Sequence, residues 1–368
     1  MGLKHKTKIL MVIRSLKFWW WTEKACINVW DLLNSEPWYD VSYFSFYKDK
    51  HTYSHKWLEF CLWKKSRFMI IKIWYSFIWA IKLKKFCSRN DIDIIIAYMG
   101  SGILTTILSK IFGNKSQIYV YIHRCLKDFP KWISYLLVFF SKKYSYNFIV
   151  LTEYEKNYLT KYFNLSKNSV SVIPNFIDIK DIKNLSIEPI NTYQELFQNH
   201  KFTFITTGRL ENIKNQQLMI NTFNKINTQY PNTQLIILWE WKNKGKLRKL
   251  ANENVHFLWN QENVFNFLHQ SDCFILTSKS ESFSIAILEA MICWLPVIST
   301  KTQWPNEILD DNKYWILVNH NEVSLYNAME KILLDKDLRI EYRNRSEERV
   351  KYYQKDEIMK KWKKLLDE

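Results

Sequence analysis

Short runs of Ile, Val, Leu and aromatic residues recur along the chain, separated by segments whose apolar positions follow helical spacing. "KILMVIR" (8–14), "DVSYFSF" (40–46), "DIDIIIAYM" (91–99), "QIYVYIH" (117–123), "NFIVLT" (147–152) and "VSVIPN" (170–175) predict strands. Helices are predicted over 22–34, with Thr22 as cap, over 101–112 and near 153–163. The second half repeats the alternation. Strands are expected at 201–208, 233–239, 255–259, 272–278 and 296–300, with helices at 214–229, 243–252, 261–269 and 284–293. Residues 321–334 and 356–367 read as closing helices. Strands this rich in β-branched residues are buried on both faces, which implies parallel sheets covered by helices on each side. Residues 178–200 are polar, contain Pro189 and lack clear periodicity, and are expected to link the two halves. Two such halves place a ligand cleft at the carboxyl ends of their strands.

One segment breaks the alternation. "SHKWLEFCLWKKSRFMIIKIWYSFIWAIKLKKFC" (54–86) has an apolar core, 68–81, that carries Lys72 and is too short to span a bilayer. Its aromatic content and the lysines at 64, 65, 72, 82, 84 and 85 suit a helix lying on an anionic membrane surface, or an ordinary helix packed on the sheet. The 368 residues are 47% hydrophobic with mean hydropathy −0.29, which excludes a disordered chain and a polytopic membrane protein. Lys+Arg 53 against Asp+Glu 36 gives a net charge of +17, so phosphate-bearing partners are expected, unless compositional drift toward Lys explains the excess. The six cysteines are scattered without a C-x-x-C pair, and reduced cytosolic thiols are the default. The N-terminal apolar run reads as a first strand rather than a signal peptide, and Gly2 lacks the Ser or Thr at position 6 that myristoylation needs.

Three segments of the second half carry chemistry. "TTGRLENIKNQ" (206–216) ends a strand at Gly208, then presents Arg209 and Lys214 at a helix start, where guanidinium, ammonium and backbone amides suit an anion. "SKSESFSIAILEAM" (278–291) spaces Glu281 and Glu289 eight apart, so a loop carboxylate and a helix carboxylate lie near one ligand and can accept bonds from sugar and ribose hydroxyls. "PVIST" followed by "PNEIL" (296–309) is a strand leading to a Pro-led helix start.

Over nearly its whole length, and most specifically from 206 to 318, the chain resembles glycosyltransferase family 4, the retaining enzymes of GT-B fold. The family's E-x7-E motif matches Glu281 and Glu289, and its phosphate-binding pair matches Arg209 and Lys214. Its "IPN" connector matches Ile173-Pro174-Asn175, and its first-domain histidine matches His123. The resemblance implies an α/β GT-B architecture, two doubly wound Rossmann-like domains facing across a cleft. An acceptor-binding domain would span 1–180 and a nucleotide-sugar domain 181–350, with a helix at 351–368 returning to the first. It also implies transfer of a hexose or N-acetylhexosamine from a nucleotide-diphospho-sugar, with UDP-sugars the first expectation, to a saccharide or lipid-linked acceptor in surface polysaccharide assembly. His123, Glu281, Arg209 and Lys214 would act in catalysis. Gly208, Phe283, Ser284, Ile285, Glu289 and the loop at Trp19, Trp20 and Trp21 would complete the donor site. No metal or cofactor is expected: Arg209 and Lys214 would neutralise the departing diphosphate, and "DID" at 91–93 reads as a strand start. Placement on the inner face of the cell membrane follows from the basic aromatic segment. Two alternatives are a catalytically silent GT-B scaffold, which would lose the acidic pair, and a basic nucleic-acid-binding protein, which would show an aromatic-and-basic platform. No nucleic-acid partner is expected.

The departure from the family is in glycine. A chain of this length usually carries roughly 7% Gly; here there are 6, against 17 Trp. Trp occupies the family's glycine positions at 19–21, 239, 241, 259, 294, 304 and 315. In "LEAMICWLPVIST" (288–300), Trp294 stands in a helix-to-strand turn of the kind that favours φ > 0, and such turns are expected at many of these positions. A gene in which UGA encodes glycine, read with a table assigning UGA to Trp, accounts for the surplus and the deficit together. Trp30, Trp38 and Trp132 fit that reading less well, and Trp362 and those at 57–79 read as true tryptophans.

Overall fold

The computed structural model describes residues 6–15, 21–47, 58–60, 69–123, 126, 131–144, 146–238, 244–259, 261–281 and 283–367. The chain divides into two compact units, one of residues 1–174 with 359–368, the other of residues 175–358. The division falls inside the "IPN" connector, between Pro174 and Asn175.

In the first unit, β1 (Thr7–Ser15), α1 (Trp21–Asn34), β2 (Tyr39–Tyr47) and β3 (Leu58–Phe60) lead into α2 (Met69–Asn90). Then come β4 (Ile94–Tyr98), α3 (Met99–Ile111), β5 (Gln117–Ile122), α4 (Lys131–Tyr144), β6 (Asn147–Val150), α5 (Glu153–Tyr162) and β7 (Val170–Val172). The seven strands are parallel, in the order β3-β2-β1-β4-β5-β6-β7. Ile9 to Ile13 on the central β1 have no exposed surface, as a strand covered on both faces requires. Leu10, Val12, Ile95, Val120, Phe148 and Val150 share one face, packed by α2, α3, α4 and α5 through Trp79, Leu83, Ile107, Val138 and Leu159. Gly102 in the first turn of α3 lets that helix sit against β1, because a Cβ there would stand 2.8 Å from the Val12 carbonyl oxygen. Asp93 of "DID" accepts the Lys8 N–H at 2.8 Å and so closes a strand start.

The second unit opens with α6 (Ile179–Ser186) and α7 (Glu195–Gln198), followed by β8 (Phe202–Thr207), α8 (Gln216–Gln229), β9 (Thr233–Leu238), α9 (Lys244–Arg248) and β10 (Val255–Leu258). It continues with α10 (Phe265–His269), β11 (Cys273–Leu276), α11 (Ile285–Ile292), β12 (Val297–Thr300), α12 (Gln303–Leu309), β13 (Ile316–Val318), α13 (Glu322–Leu334) and α14 (Lys336–Lys351). Its six parallel strands run β10-β9-β8-β11-β12-β13. The stretch expected as a linker is therefore partly structured. Asp178 caps α6 by accepting the Asp181 N–H, and Ile182 buries into the core of this unit. Only two or three apolar positions anchor so short a helix, too few for periodicity to show. The last helix, α15 (Lys355–Asp367), buries Trp362 edge-on against Tyr121 at 5.7 Å in the first unit. Tyr39 also donates to Asp367 at 2.9 Å there.

Four of the nine suspect tryptophans have described side chains. Trp294 has φ +67° two residues past the end of α11, where Leu295 N–H reaches the Ala290 carbonyl and Trp294 N–H the Met291 carbonyl. That is the left-handed helix stop at which glycine is free of a Cβ clash. The expectation of positive φ does not hold at the other three: Trp259, Trp304 and Trp315 lie at a strand end, inside α12 and just before β13, with ordinary backbone. Trp304 instead is crowded. Its ring centroid lies 3.7 Å from that of Phe283, closer than the usual 4.5–7 Å for an aromatic pair, and its indole N–H is buried without a partner among the described residues. Trp315 is fully buried and bonds Ser346. Trp19, Trp20, Trp239 and Trp241 lie outside the described residues, and Trp21 is the first residue of α1.

Candidate active site

In each unit the strand order reverses beside the first strand, at β1/β4 and at β8/β11, and the carboxyl ends there form the natural ligand position of a doubly wound sheet. In the second unit the predicted residues converge on that point. Gly208 follows β8 with φ +142°, a backbone region closed to most side chains, and turns the chain toward Arg209. A single 3₁₀ turn, Asn212–Lys214, and the left-handed Asn215 at φ +52° then deliver Lys214 to the start of α8. Across the switch point, the loop after β11 carries Glu281. Lys214 Nζ lies 2.6 Å from Glu281 Oε1, and Ser278 Oγ donates to the same oxygen at 2.6 Å. The glutamate is only 8% exposed and the lysine 22%, so this is a charge-assisted pair held largely out of water.

The backbone around the pair is stitched independently. Thr277, fully buried, donates its hydroxyl to the carbonyls of Lys214 (3.0 Å) and Asn215 (3.1 Å). Lys279 N–H reaches the Ile213 carbonyl at 2.7 Å, and Thr300 Oγ1 bonds the Ser278 carbonyl at 2.7 Å. Thr277, Ser278 and Thr300 were not singled out from the sequence, where their positions read only as strand ends. A hydroxyl pair straight after an apolar run, just before the acidic motif, was the available signal.

Arg209 is placed nearby on the same turn but holds a different partner. Its guanidinium pairs with Glu211 at 2.9 Å, largely in solvent, while its carbonyl accepts from Gln216 at 2.8 Å. Glu289 sits in the second turn of α11 and is 7% exposed. Phe283 packs on Trp304 and Tyr353; Ser284 is buried at the start of α11 without capping it through its side chain, and Ile285 is the first residue of that helix. Burial, then the charge of Glu289, pushes the Cys293 thiol up to about 12, so it stays protonated and inert.

His123 belongs to the first unit, just beyond β5. Its ring lies 4.1 Å from Tyr121 and 5.4 Å from Tyr98, and Nε2 is buried without a partner among the described residues. Burial among aromatic rings pushes its pKa down to about 3, so the imidazole is neutral and has one nitrogen free to bond a ligand. Trp19 and Trp20, between β1 and α1 in the sequence, lie outside the described residues.

Two doubly wound parallel units, one with a lysine–glutamate pair at its switch point, define an α/β architecture of two Rossmann-like sheets. Residues 49–181 match the family model "Glycosyltransferase Family 4", and residues 189–350 match "Glycosyl transferases group 1". The chain belongs to glycosyltransferase family 4 and has the GT-B fold. It is similar to an uncharacterized glycosyltransferase of Methanocaldococcus jannaschii, at 28% identity over 99% of each chain. It is also similar to the N-acetylgalactosamine-N,N'-diacetylbacillosaminyl-diphospho-undecaprenol 4-alpha-N-acetylgalactosaminyltransferase of Campylobacter jejuni, at 25% identity over 78% of this chain and 80% of that one. Among solved structures it resembles Anabaena HepE in complex with UDP and glucose, with TM-score 0.78 and 16% identity, covering 98% of this chain and 99% of that one.

Proposed function

We propose that this glycosyltransferase is a retaining, metal-independent enzyme that moves a hexose or N-acetylhexosamine from a nucleotide-diphospho-sugar to a lipid-linked saccharide in surface glycoconjugate assembly. The observation that carries it is the buried Lys214–Glu281–Ser278 cluster at the β8/β11 switch point. A lysine held by a glutamate has its charge stored in place, ready to be shared with a diphosphate when the donor arrives. Lys214 and Arg209 stabilise the negative charge that develops on the leaving group, the largest single source of rate in such transfers. Glu281 takes the hydroxyls of the donor sugar and Glu289 those of the ribose, while neutral His123 contacts the sugar or the leaving phosphate. The lipid-linked acceptor is supported by the Campylobacter relative, whose name specifies a diphospho-undecaprenol substrate.

The same reading assigns glycine, in the natural protein, to positions 19–21, 239, 241, 259, 294, 304 and 315. Glycines in the loop after β1 let backbone N–H groups approach a diphosphate, whereas three indoles would fill that space. The test is a panel of UDP-, GDP- and ADP-sugars offered to the chain with those nine tryptophans changed to glycine. Release of the nucleoside diphosphate from one donor class is expected, undiminished by EDTA, with the anomeric configuration of the product matching the donor by NMR. No turnover with any donor would leave a silent scaffold; an EDTA-sensitive or inverted product would overturn the mechanism. Intact mass of the natively produced protein tests the glycine assignment separately, because each exchange removes a large, countable mass.

A further inference from the structure

Helices α2, α3, α4 and α5 form one layer over a single face of the first sheet. Their inner sides fill the core, yet their outer sides are not polar in the way a solvent face usually is. Phe77 and Ile81 on α2, Tyr135, Leu136 and Phe139 on α4, and Tyr162 on α5 are all exposed, Phe139 by 58% and Tyr135 by 54%. The rings form contiguous groups rather than isolated exceptions. Tyr135 meets Phe163 edge-on at 5.3 Å, and Phe163 meets Tyr162 at 5.0 Å. Phe77 lies 6.2 Å from Phe112, at the end of α3.

The charge on α2, α3 and α4 is one-sided; the acidic residues of the layer, Glu153 and the buried Glu155, are confined to the first turn of α5. Acidic residues make up about a tenth of the chain, yet α2, α3 and α4 contain none. The same three helices carry Lys72, Lys82, Lys84, Lys85, Arg89, Lys110, Lys131, Lys142 and Lys143. By contrast α14, an ordinary solvent helix of the second unit, mixes both signs along its length. None of the described helices is long and apolar enough to cross a membrane.

Exposed aromatic and aliphatic side chains among unopposed lysines match a bilayer interface, where rings enter the headgroup boundary and ammonium groups meet anionic lipid. A second copy of the chain fits less well, because a two-fold contact would set this basic face against itself. We propose that the outer layer of the first unit, centred on α4 and extending over α2, is the surface by which the protein lies on an anionic lipid bilayer. The proposal rests on the transfer to a lipid-linked acceptor for its purpose, but not for its test.

The test uses the full chain and sedimentation with vesicles of phosphatidylcholine alone or mixed with phosphatidylglycerol, with neither donor nor acceptor present. Binding is expected to the phosphatidylglycerol vesicles and to fall as salt rises. The triple variant Tyr135→Ser, Leu136→Ser, Phe139→Ser changes exposed side chains only. It is expected to lower partitioning at least roughly tenfold while leaving the thermal transition in place. The pair Lys131→Glu, Lys143→Glu is expected to remove the preference for anionic lipid. Three results would overturn the proposal: no binding to anionic vesicles, binding that all these variants retain, or a vesicle-free dimer in light scattering that the triple variant abolishes. Because no sugar is transferred in this assay, its failure is distinct from failure of the donor panel.

Discussion

Trp294 concentrates the chemistry of this chain in one backbone angle. At φ +67° a side chain pays the left-handed Cβ clash, about 1–2 kcal/mol, that glycine avoids. The indole recovers part of that by lying 5.5 Å beneath the Lys183 ammonium, a contact of about 0.5 kcal/mol at an exposed site. The clash is the larger effect, so Trp294→Gly is predicted to stabilise the protein by about 1 kcal/mol. Urea denaturation would show it as a higher midpoint with an unchanged slope; a lower midpoint would mean that the ring, not the turn, is the native feature. Trp304 makes the same case by crowding, since its unpartnered buried N–H alone costs about 1–3 kcal/mol. The glycine pattern was legible in the sequence because it is a matter of counting and of motif position. Which tryptophans are strained by φ and which by volume was not, because that depends on backbone angles and neighbours.

At the level of elements, the site is a join between two loops. The turn before α8 carries Lys214, the loop after β11 carries Glu281, and Thr277 ties the first loop's backbone to the end of the second strand. Thr277→Val keeps the volume but leaves the Lys214 and Asn215 carbonyls without that hydroxyl. A lost buried hydrogen bond is worth about 1 kcal/mol, so a drop of roughly three- to tenfold in kcat/KM for the donor is predicted, with Thr277→Ser restoring it. Steady-state kinetics on the three proteins would decide, and full activity in the valine variant would reduce Thr277 to a packing residue. The glutamates at 281 and 289 could be read from the chain because their spacing is local. Thr277 could not, since its partners lie more than 60 residues away in the turn before α8. The aromatic outer side of α4 was equally hidden: an apolar run does not say which of its residues faces the sheet.

Across the whole molecule, folding and protonation are coupled at His123. An unfolded imidazole titrates near 6.5, whereas burial holds the folded one at about 3. Between those values the unfolded chain binds a proton that the folded chain refuses, so stability is present in full above about pH 6.5 and is lost as pH falls toward 3. Replacing the ring by His123→Phe is predicted to flatten the fall in stability across that window relative to the parent, as read by denaturant midpoints at several pH values. Parallel pH profiles for the two proteins would show that His123 is not held neutral by the fold. Alternating apolar runs and helical spacing were enough to determine two parallel α/β halves, and the acidic and basic motifs were enough to determine the family, because both depend on neighbours close in the chain. The tertiary structure alone decided that Lys214 is paired with Glu281, that His123 is shut among tyrosines, and that one helical layer turns a basic aromatic face outward. Those properties arise where parallel strands and packed helices bring distant residues within a few ångströms, and no local pattern records the distance.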